Sequence, residues 1–132
     1  MHHEIQTEAP ILIVDDDPLN LRLLQIVLES AGYARVHATS EPRRAVSLLT
    51  EEQPDLVITD LHMPELDGFE LLARLRNVRP SPTELAIVVL TCDSSYEAQQ
   101  RAVALGATAY LTKPFAPDHL LRCLDNLCPD RE

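Results

Sequence analysis

The residues Ile11 to Val14 form an unbroken apolar run that stops at Asp15-Asp16-Asp17-Pro18. A run this short, apolar at every position and bounded by turn formers, fits a strand buried on both faces. Helical spacing begins at once. Pro18 suits a first helical turn, Leu21, Leu24, Val27 and Leu28 recur at intervals of a turn, and Gly32 closes the segment as a C-terminal cap. The same alternation repeats four more times. A strand near Arg35 to Ala38 precedes a helix from about Pro42 to Leu49, and Asp55 to Thr59 precedes one from about Gly68 to Asn77. Leu85 to Leu90 precedes a helix from about Ser94 to Leu105, with Gly106 as its cap, and Ala109 to Leu111 precedes a last helix from Pro117 to Leu127. Five strands alternating with five helices predict an α/β chain whose parallel sheet carries helices on both faces. Aromatic residues make up 4% of the chain, so the core must come from Leu, Val, Ile and Ala.

No Gly/Ser linker, low-complexity run or internal repeat interrupts this pattern. At 132 residues one domain is expected, spanning 11–128 with tails at 1–10 and 129–132. The three cysteines are neither an even disulfide framework nor a paired CxxC zinc pattern, which points to a reducing compartment, the cytoplasm. No stretch approaches the roughly 18 apolar residues of a membrane span, and the polar opening MHHEIQTEAP is no signal peptide. With 21 acidic against 11 basic residues the net charge is −10, which repels nucleic acid and anionic lipid alike. His2 and His3, in the opening tail, enter no reading of the site.

In an open parallel sheet, ligands bind outside the carboxyl ends of the strands. The residues that follow the apolar runs are therefore the informative ones. Asp15, Asp16 and Asp17 follow the first run, Asp60 ends the third, Thr91 the fourth, and Lys113 comes just after the fifth. The fold would gather them in one crevice. Crowded carboxylates must take up protons or share a cation, and a hard divalent ion with oxygen ligands, Mg2+ before others, answers that need. An ammonium and a hydroxyl beside the metal make a site for a phosphoryl group, with one carboxylate able to act as nucleophile and form an acyl phosphate. Lys113 stands out for another reason. Ten of the eleven basic residues are arginine and Lys113 is the sole lysine, as though a compact ammonium were wanted there, although codon bias would also favour arginine.

The segments ILIVDDDP, ITDLHMPELDG, the VLT ending at Thr91, and GATAYLTKPF are each weak signals; in this order and spacing they are specific. Over about residues 10 to 128 the chain resembles the receiver (phosphoacceptor) domain of two-component response regulators. The resemblance implies a flavodoxin-like (βα)5 fold, a doubly wound parallel five-stranded sheet in the order 2-1-3-4-5. It implies Asp60 as the phosphoacceptor, and Asp15, Asp16, Asp60 and the backbone carbonyl of His62 as ligands of Mg2+, with Mn2+ as a substitute. Thr91 matches the switch hydroxyl, Tyr110 the aromatic residue that follows it, and Lys113 the phosphoryl-pairing lysine. Pro114 matches a proline with a cis peptide bond before it, which a tertiary amide tolerates. The implied reaction is in-line attack by Asp60 on a phosphohistidine of a sensor histidine kinase or phosphotransfer protein, followed by slow self-dephosphorylation. Such a chain is no turnover enzyme. Its output would pass through the Ser94–Leu127 face, including Gln99, Gln100 and Arg101, to a downstream protein or a fused output domain, with a phosphorylation-dependent homodimer as a further partner. A bacterial source and a cytoplasmic location follow from the same resemblance, whether the chain stands alone or is the first domain of a longer protein.

Some residues have plainer readings or depart from the family pattern. Asp17, with Pro18 after it, reads as a helix N-cap. Cys92 is larger than the usual neighbour of the switch threonine and is expected to narrow access to the phosphoryl group. His62 and Asp93, each two positions beyond a site residue, are expected to meet across the mouth of the site and set the phosphoryl lifetime. His119, Cys123 and Cys128 have an H-x3-C-x4-C spacing that could suit zinc, but Leu120, Leu124 and Leu127 mark the buried stripe of that helix, so the cysteines read as its flanks. A haloacid-dehalogenase-like phosphatase would use Asp15 and Asp17 as its nucleophile and acid/base pair. It also needs a further acidic motif after its lysine, where Asp118, Asp125 and Asp130 are spread along a helix and tail. A flavin module would need a Ser/Thr-rich phosphate loop after the first strand, where this chain has carboxylates.

Overall fold

A computed structural model describes residues 8–127. Five strands form one parallel sheet: β1 (Ile11–Val14), β2 (Val36–Thr39), β3 (Leu56–Thr59), β4 (Ala86–Thr91) and β5 (Ala109–Thr112). Their order is β2-β1-β3-β4-β5, the predicted doubly wound arrangement. The helices α1 (Pro18–Ser30), α2 (Ala45–Glu52), α3 (Gly68–Val78), α4 (Tyr96–Ala104) and α5 (Pro117–Leu127) connect them.

Strict alternation along the strands divides the core in two. Leu12, Val14, Val57, Ile87 and Val89 face α2, α3 and α4, where Leu49, Leu71, Leu72, Leu75 and Ala102 meet them. Ile11, Ile13, Ile58, Val88 and Leu90 face the other way, onto Leu24 and Leu28 of α1 and Leu120 and Leu124 of α5. Both layers are mainly aliphatic, with Phe69 buried in the first and Tyr33 in the second. The three inner strands are buried along their whole length, while the edge strands β2 and β5 are only partly covered.

Register sets the site. Val14 pairs with both Thr39 and Thr59, and Thr91 pairs with Thr112, so β1, β2 and β3 end level and β4 ends level with β5. The next residue along β1 is Asp15, along β3 Asp60, and along β5 Lys113.

Several boundaries differ from the sequence reading. The helix expected from Pro42 begins as a 3-10 turn, Pro42–Arg44, because Glu41 provides no side-chain cap, and becomes α-helical only at Ala45. The fourth strand keeps Thr91, which is fully buried and paired with Thr112. The helix expected from Ser94 starts at Tyr96, since the Ser95 hydroxyl accepts from the Ala98 amide and acts as N-cap. An antiparallel hairpin, His62–Met63 with Leu66–Asp67, was not anticipated, because two-residue strands carry no periodic signal. Gly32 and Gly106, just past the ends of α1 and α4, have φ values of 102° and 114°, which a helix-ending glycine provides without strain. Among the described residues no helix is long and apolar enough to cross a membrane. His2, His3 and Cys128 lie outside the described residues.

Candidate functional site

Asp15 and Asp60 are buried where β1 and β3 end. The Lys113 backbone N–H donates to the Thr91 carbonyl at 2.8 Å, which ties the exit of β5 to the last residue of β4. From there the Lys113 side chain reaches inward. Its Nζ donates to Asp60 Oδ2 at 2.8 Å and to Asp15 Oδ2 at 2.9 Å. The Lys113–Pro114 peptide is cis.

The other oxygens of both carboxylates are held by backbone amides. Asp15 Oδ1 accepts from Asp17 N at 3.0 Å, and Asp60 Oδ1 accepts from Leu61 N at 2.6 Å and His62 N at 3.2 Å. Asp17 caps α1, its carboxylate accepting from Leu19 N at 3.0 Å. The loop after Asp60 is pressed in turn against α3. Gly68 N donates to the Leu61 carbonyl at 3.0 Å, and a Cβ at Gly68 would stand 2.3 Å from Leu61 Cα and 2.3 Å from its carbonyl oxygen. The missing side chain is what lets helix and loop approach this closely.

Charge at this edge is only partly balanced. Burial pushes the Asp60 carboxyl up, but hydrogen bonds from Lys113 and Thr91 outweigh it and hold the carboxyl below the ordinary carboxylate range. Burial pushes the Lys113 ammonium down, and its hydrogen bonds to Asp60 and Asp15 outweigh that too, so it stays charged. Asp16 receives no bond from Lys113: burial first, then the charge of Asp15, push its carboxyl up, and a backbone hydrogen bond does not offset them. Three neighbouring carboxylates thus share this edge with one ammonium that pairs with only two of them, a donor set that fits a hard oxygen-seeking cation. Among the described residues no three His, Cys, Asp or Glu side chains converge closely enough to hold a metal by themselves, so a full ligand shell here needs backbone carbonyl or water oxygens as well.

Beyond Thr91 the chain turns through Cys92 and Asp93. Thr91 Oγ1 accepts from Asp93 N at 3.3 Å, and the Tyr110 hydroxyl donates to the Asp93 carbonyl at 2.5 Å. His62 and Asp93 do meet, with Nε2 2.9 Å from Oδ2. Hydrogen bonds from the Ser95 hydroxyl and amide, and then from His62, hold the Asp93 carboxyl down to about 2. Cys92 is exposed and lines a largely apolar groove of about 480 Å³ between Leu23 and Val27 of α1 and Phe115, with Lys113 beside it. On α4, Gln99 and Gln100 are exposed, whereas the Arg101 guanidinium lies 4.1 Å from the centre of the Phe69 ring at the start of α3. His119 and Cys123 belong to no metal-ligating cluster among the described residues, and burial pushes the Cys123 thiol up.

Sequence reasoning missed Gly68, Ser95 and Arg76. The pair Asp67-Gly68 was readable as a helix start, but the closeness of Leu61 was not. Arg76 donates to the carbonyls of Gly106, Leu85 and Arg79 at 2.8 to 3.1 Å, and nothing in its local sequence announces those partners.

The profile described as the response regulator receiver domain matches residues 11–125. The chain belongs to the response regulator receiver family. A 14.6 kDa uncharacterized protein of Leptolyngbya boryana is 42% identical over 92% of this chain and 91% of its own length. The transcriptional regulatory protein GlrR of Escherichia coli (strain K12) is 38% identical over 89% of this chain, which spans 26% of that protein. Among solved structures, the Vibrio cholerae chemotaxis protein CheY4 superposes with a TM-score of 0.83 at 32% identity, covering 91% of this chain and 98% of the other. The receiver is therefore found in this family both as nearly the whole of a protein and as a minor part of one. In this receiver, the parallel sheet brings Asp15, Asp16, Asp60, Thr91 and Lys113 to one edge.

Proposed function

We propose that this receiver takes a phosphoryl group onto Asp60 from a phosphohistidine of a sensor kinase or phosphotransfer protein, holds it as an acyl phosphate, and loses it slowly to water. The observation that carries this reading is the Lys113 ammonium shared between Asp60 and Asp15 at 2.8 and 2.9 Å. An Asp60 oxygen attacks phosphorus in line; the new O–P bond forms as the N–P bond breaks, and the electron pair leaves with the imidazole. Asp60 suits the task because its carboxyl is held ionised. Lys113 is placed to turn from carboxylate to phosphoryl oxygens and to neutralise charge as it builds. The amides of Leu61 and His62 hold the other Asp60 oxygen, so the nucleophile is aimed before the donor arrives.

Asp15, Asp16, Asp60 and the His62 carbonyl would hold Mg2+ or Mn2+, which when bound supplies further neutralisation of phosphoryl oxygens. Thr91 would move its hydroxyl to the phosphoryl group, with Tyr110 following. The change would be read on the Ser94–Leu127 face by a downstream protein, a fused output domain or a second copy of the chain, in the cytoplasm. Tyr96 and Val103, 71% and 54% exposed, are the apolar anchors of that face. The His62–Asp93 contact at the mouth, with Cys92 beside it, would limit the approach of water and set the lifetime of the acyl phosphate.

Intact mass after incubation with Mg2+ and acetyl phosphate tests the reading. One phosphoryl adduct is expected, absent in Asp60→Asn and abolished by chelator; no adduct with any small donor overturns it. Decay of the adduct in His62→Asn and Asp93→Ala tests the lifetime role, and unchanged decay in both would exclude it.

A further inference from the structure

Asp93 is tied at each of its four polar positions. Its amide donates to Thr91 Oγ1 at 3.3 Å, its carbonyl accepts from Tyr110 at 2.5 Å, its Oδ1 accepts from Ser95 N at 2.9 Å, and its Oδ2 stands 2.9 Å from His62 Nε2. The last two contacts fall on a single carboxylate and join two separate parts of the molecule. His62 belongs to the loop after Asp60. Ser95 is the N-cap of α4, its hydroxyl accepting from Ala98 N at 3.2 Å.

Apart from the Arg101 guanidinium over the Phe69 ring, little else fixes α4. Its nine residues are too few to be stable as a helix by themselves, and those it buries, Ala98 and Ala102, offer only methyl groups to the core. Tyr96 and Val103 point to solvent. Its position therefore depends heavily on its two ends. The trailing end is clamped: Arg76 donates to the Gly106 carbonyl through Nε at 3.1 Å and Nη2 at 2.8 Å, and Ala107 N returns to the Ala102 carbonyl at 3.0 Å. At the leading end the link to the rest of the fold runs through Asp93.

We infer that the His62–Asp93 contact is a brace that fastens the leading turn of α4 to the acceptor loop in the unmodified chain. When the contact opens, that turn is released while the Arg76 clamp holds the trailing end as a pivot. The brace also lies where a signal would pass. If Asp60 is the phosphoacceptor, on which this consequence rests, a group added there enters the loop that carries His62 and draws on Thr91, whose Oγ1 is bonded to the Asp93 amide.

Amide hydrogen exchange on the unmodified chain, followed by NMR, tests the brace without any phosphorylation. In His62→Ala, exchange at the hydrogen-bonded amides of the leading turn, Ser95, Ala98 and Gln99, should quicken about fivefold, the size of effect that loss of one helix cap produces. The amides of Gly106 and Ala107, at the clamped end, should not change. Asp93→Ala should quicken the same leading amides at least as much, and Asp93→Asn, which keeps an acceptor for Ser95 and offers a donor to His62, should return them toward wild type. Exchange in His62→Ala within twofold of wild type would reduce Asp93 to a local cap and overturn the brace, as would equal quickening at both ends of α4. His62 is exposed, so its variant leaves the core untouched. The adduct assay on wild-type chain judges the phosphoacceptor reading separately, so either idea can fail without the other.

Discussion

The Lys113 ammonium lies between Asp60 and Asp15, 2.8 Å from one carboxylate and 2.9 Å from the other, with all three side chains largely buried. The pairing balances desolvation costs that each group would otherwise carry alone.

Removing Lys113 should therefore harm both stability and function. Lys113→Met leaves two buried carboxylates facing one another, which should cost about 3 kcal/mol in urea unfolding measured without divalent metal. Added Mg2+ should restore part of this loss. Labelling of Asp60 by acetyl phosphate should fall at least ~100-fold, and Lys113→Arg should not restore it, because a planar fork cannot occupy the place of a compact ammonium. Wild-type labelling in Lys113→Met would remove Lys113 from the site.

Gly68 should tolerate no side chain. In Gly68→Ala the added methyl meets backbone atoms of Leu61 at 2.3 Å, and backbone cannot rotate away as a side chain would. A loss of about 2–3 kcal/mol in unfolding free energy is expected. Adduct formation should slow as well, since Leu61 and His62 supply the amides on Asp60 Oδ1. Unaltered stability and labelling would show that the loop yields freely.

Tyr110 should ionise late. Burial, and then the charges of Asp93 and Asp60, push its phenol above the ordinary tyrosine value. A group whose pKa is raised on folding contributes stability that is fully present below its unfolded value, ~10, and is lost as pH rises through the folded value. Subtracting the ultraviolet titration of Tyr110→Phe from that of wild type should give a midpoint above 10. The stability of wild type relative to Tyr110→Phe should hold steady below pH ~10 and fall as the pH rises from there through the folded value. A midpoint at or below 10 would contradict the placement of the phenol.

The inner strands were legible because burial on both faces leaves no room for polar residues, and Ile11 to Val14 shows this at its simplest. The edge strand β2 was placed one residue early, since its partly exposed side chains blur the pattern. Asp15, Asp60, Thr91 and Lys113 could be assembled from sequence because a parallel sheet brings the carboxyl ends of its strands together. Distant polar pairings do not follow from that rule. The His62–Asp93 contact could be expected from the places the two residues hold in the family pattern, but nothing comparable pointed to Tyr110, whose hydroxyl reaches the Asp93 carbonyl across 17 positions. Arg76 meets Gly106 across 30. Each depends on how a loop turns, and loop geometry leaves no periodic trace in the chain.

The sole lysine has a practical consequence. Isotope-labelled lysine would place one side-chain reporter in this protein, and that reporter would sit inside the crevice. Its ammonium resonance could be followed without assigning any other residue, so metal binding, phosphoryl arrival and phosphoryl loss would each be read from the atom that has most to do with them.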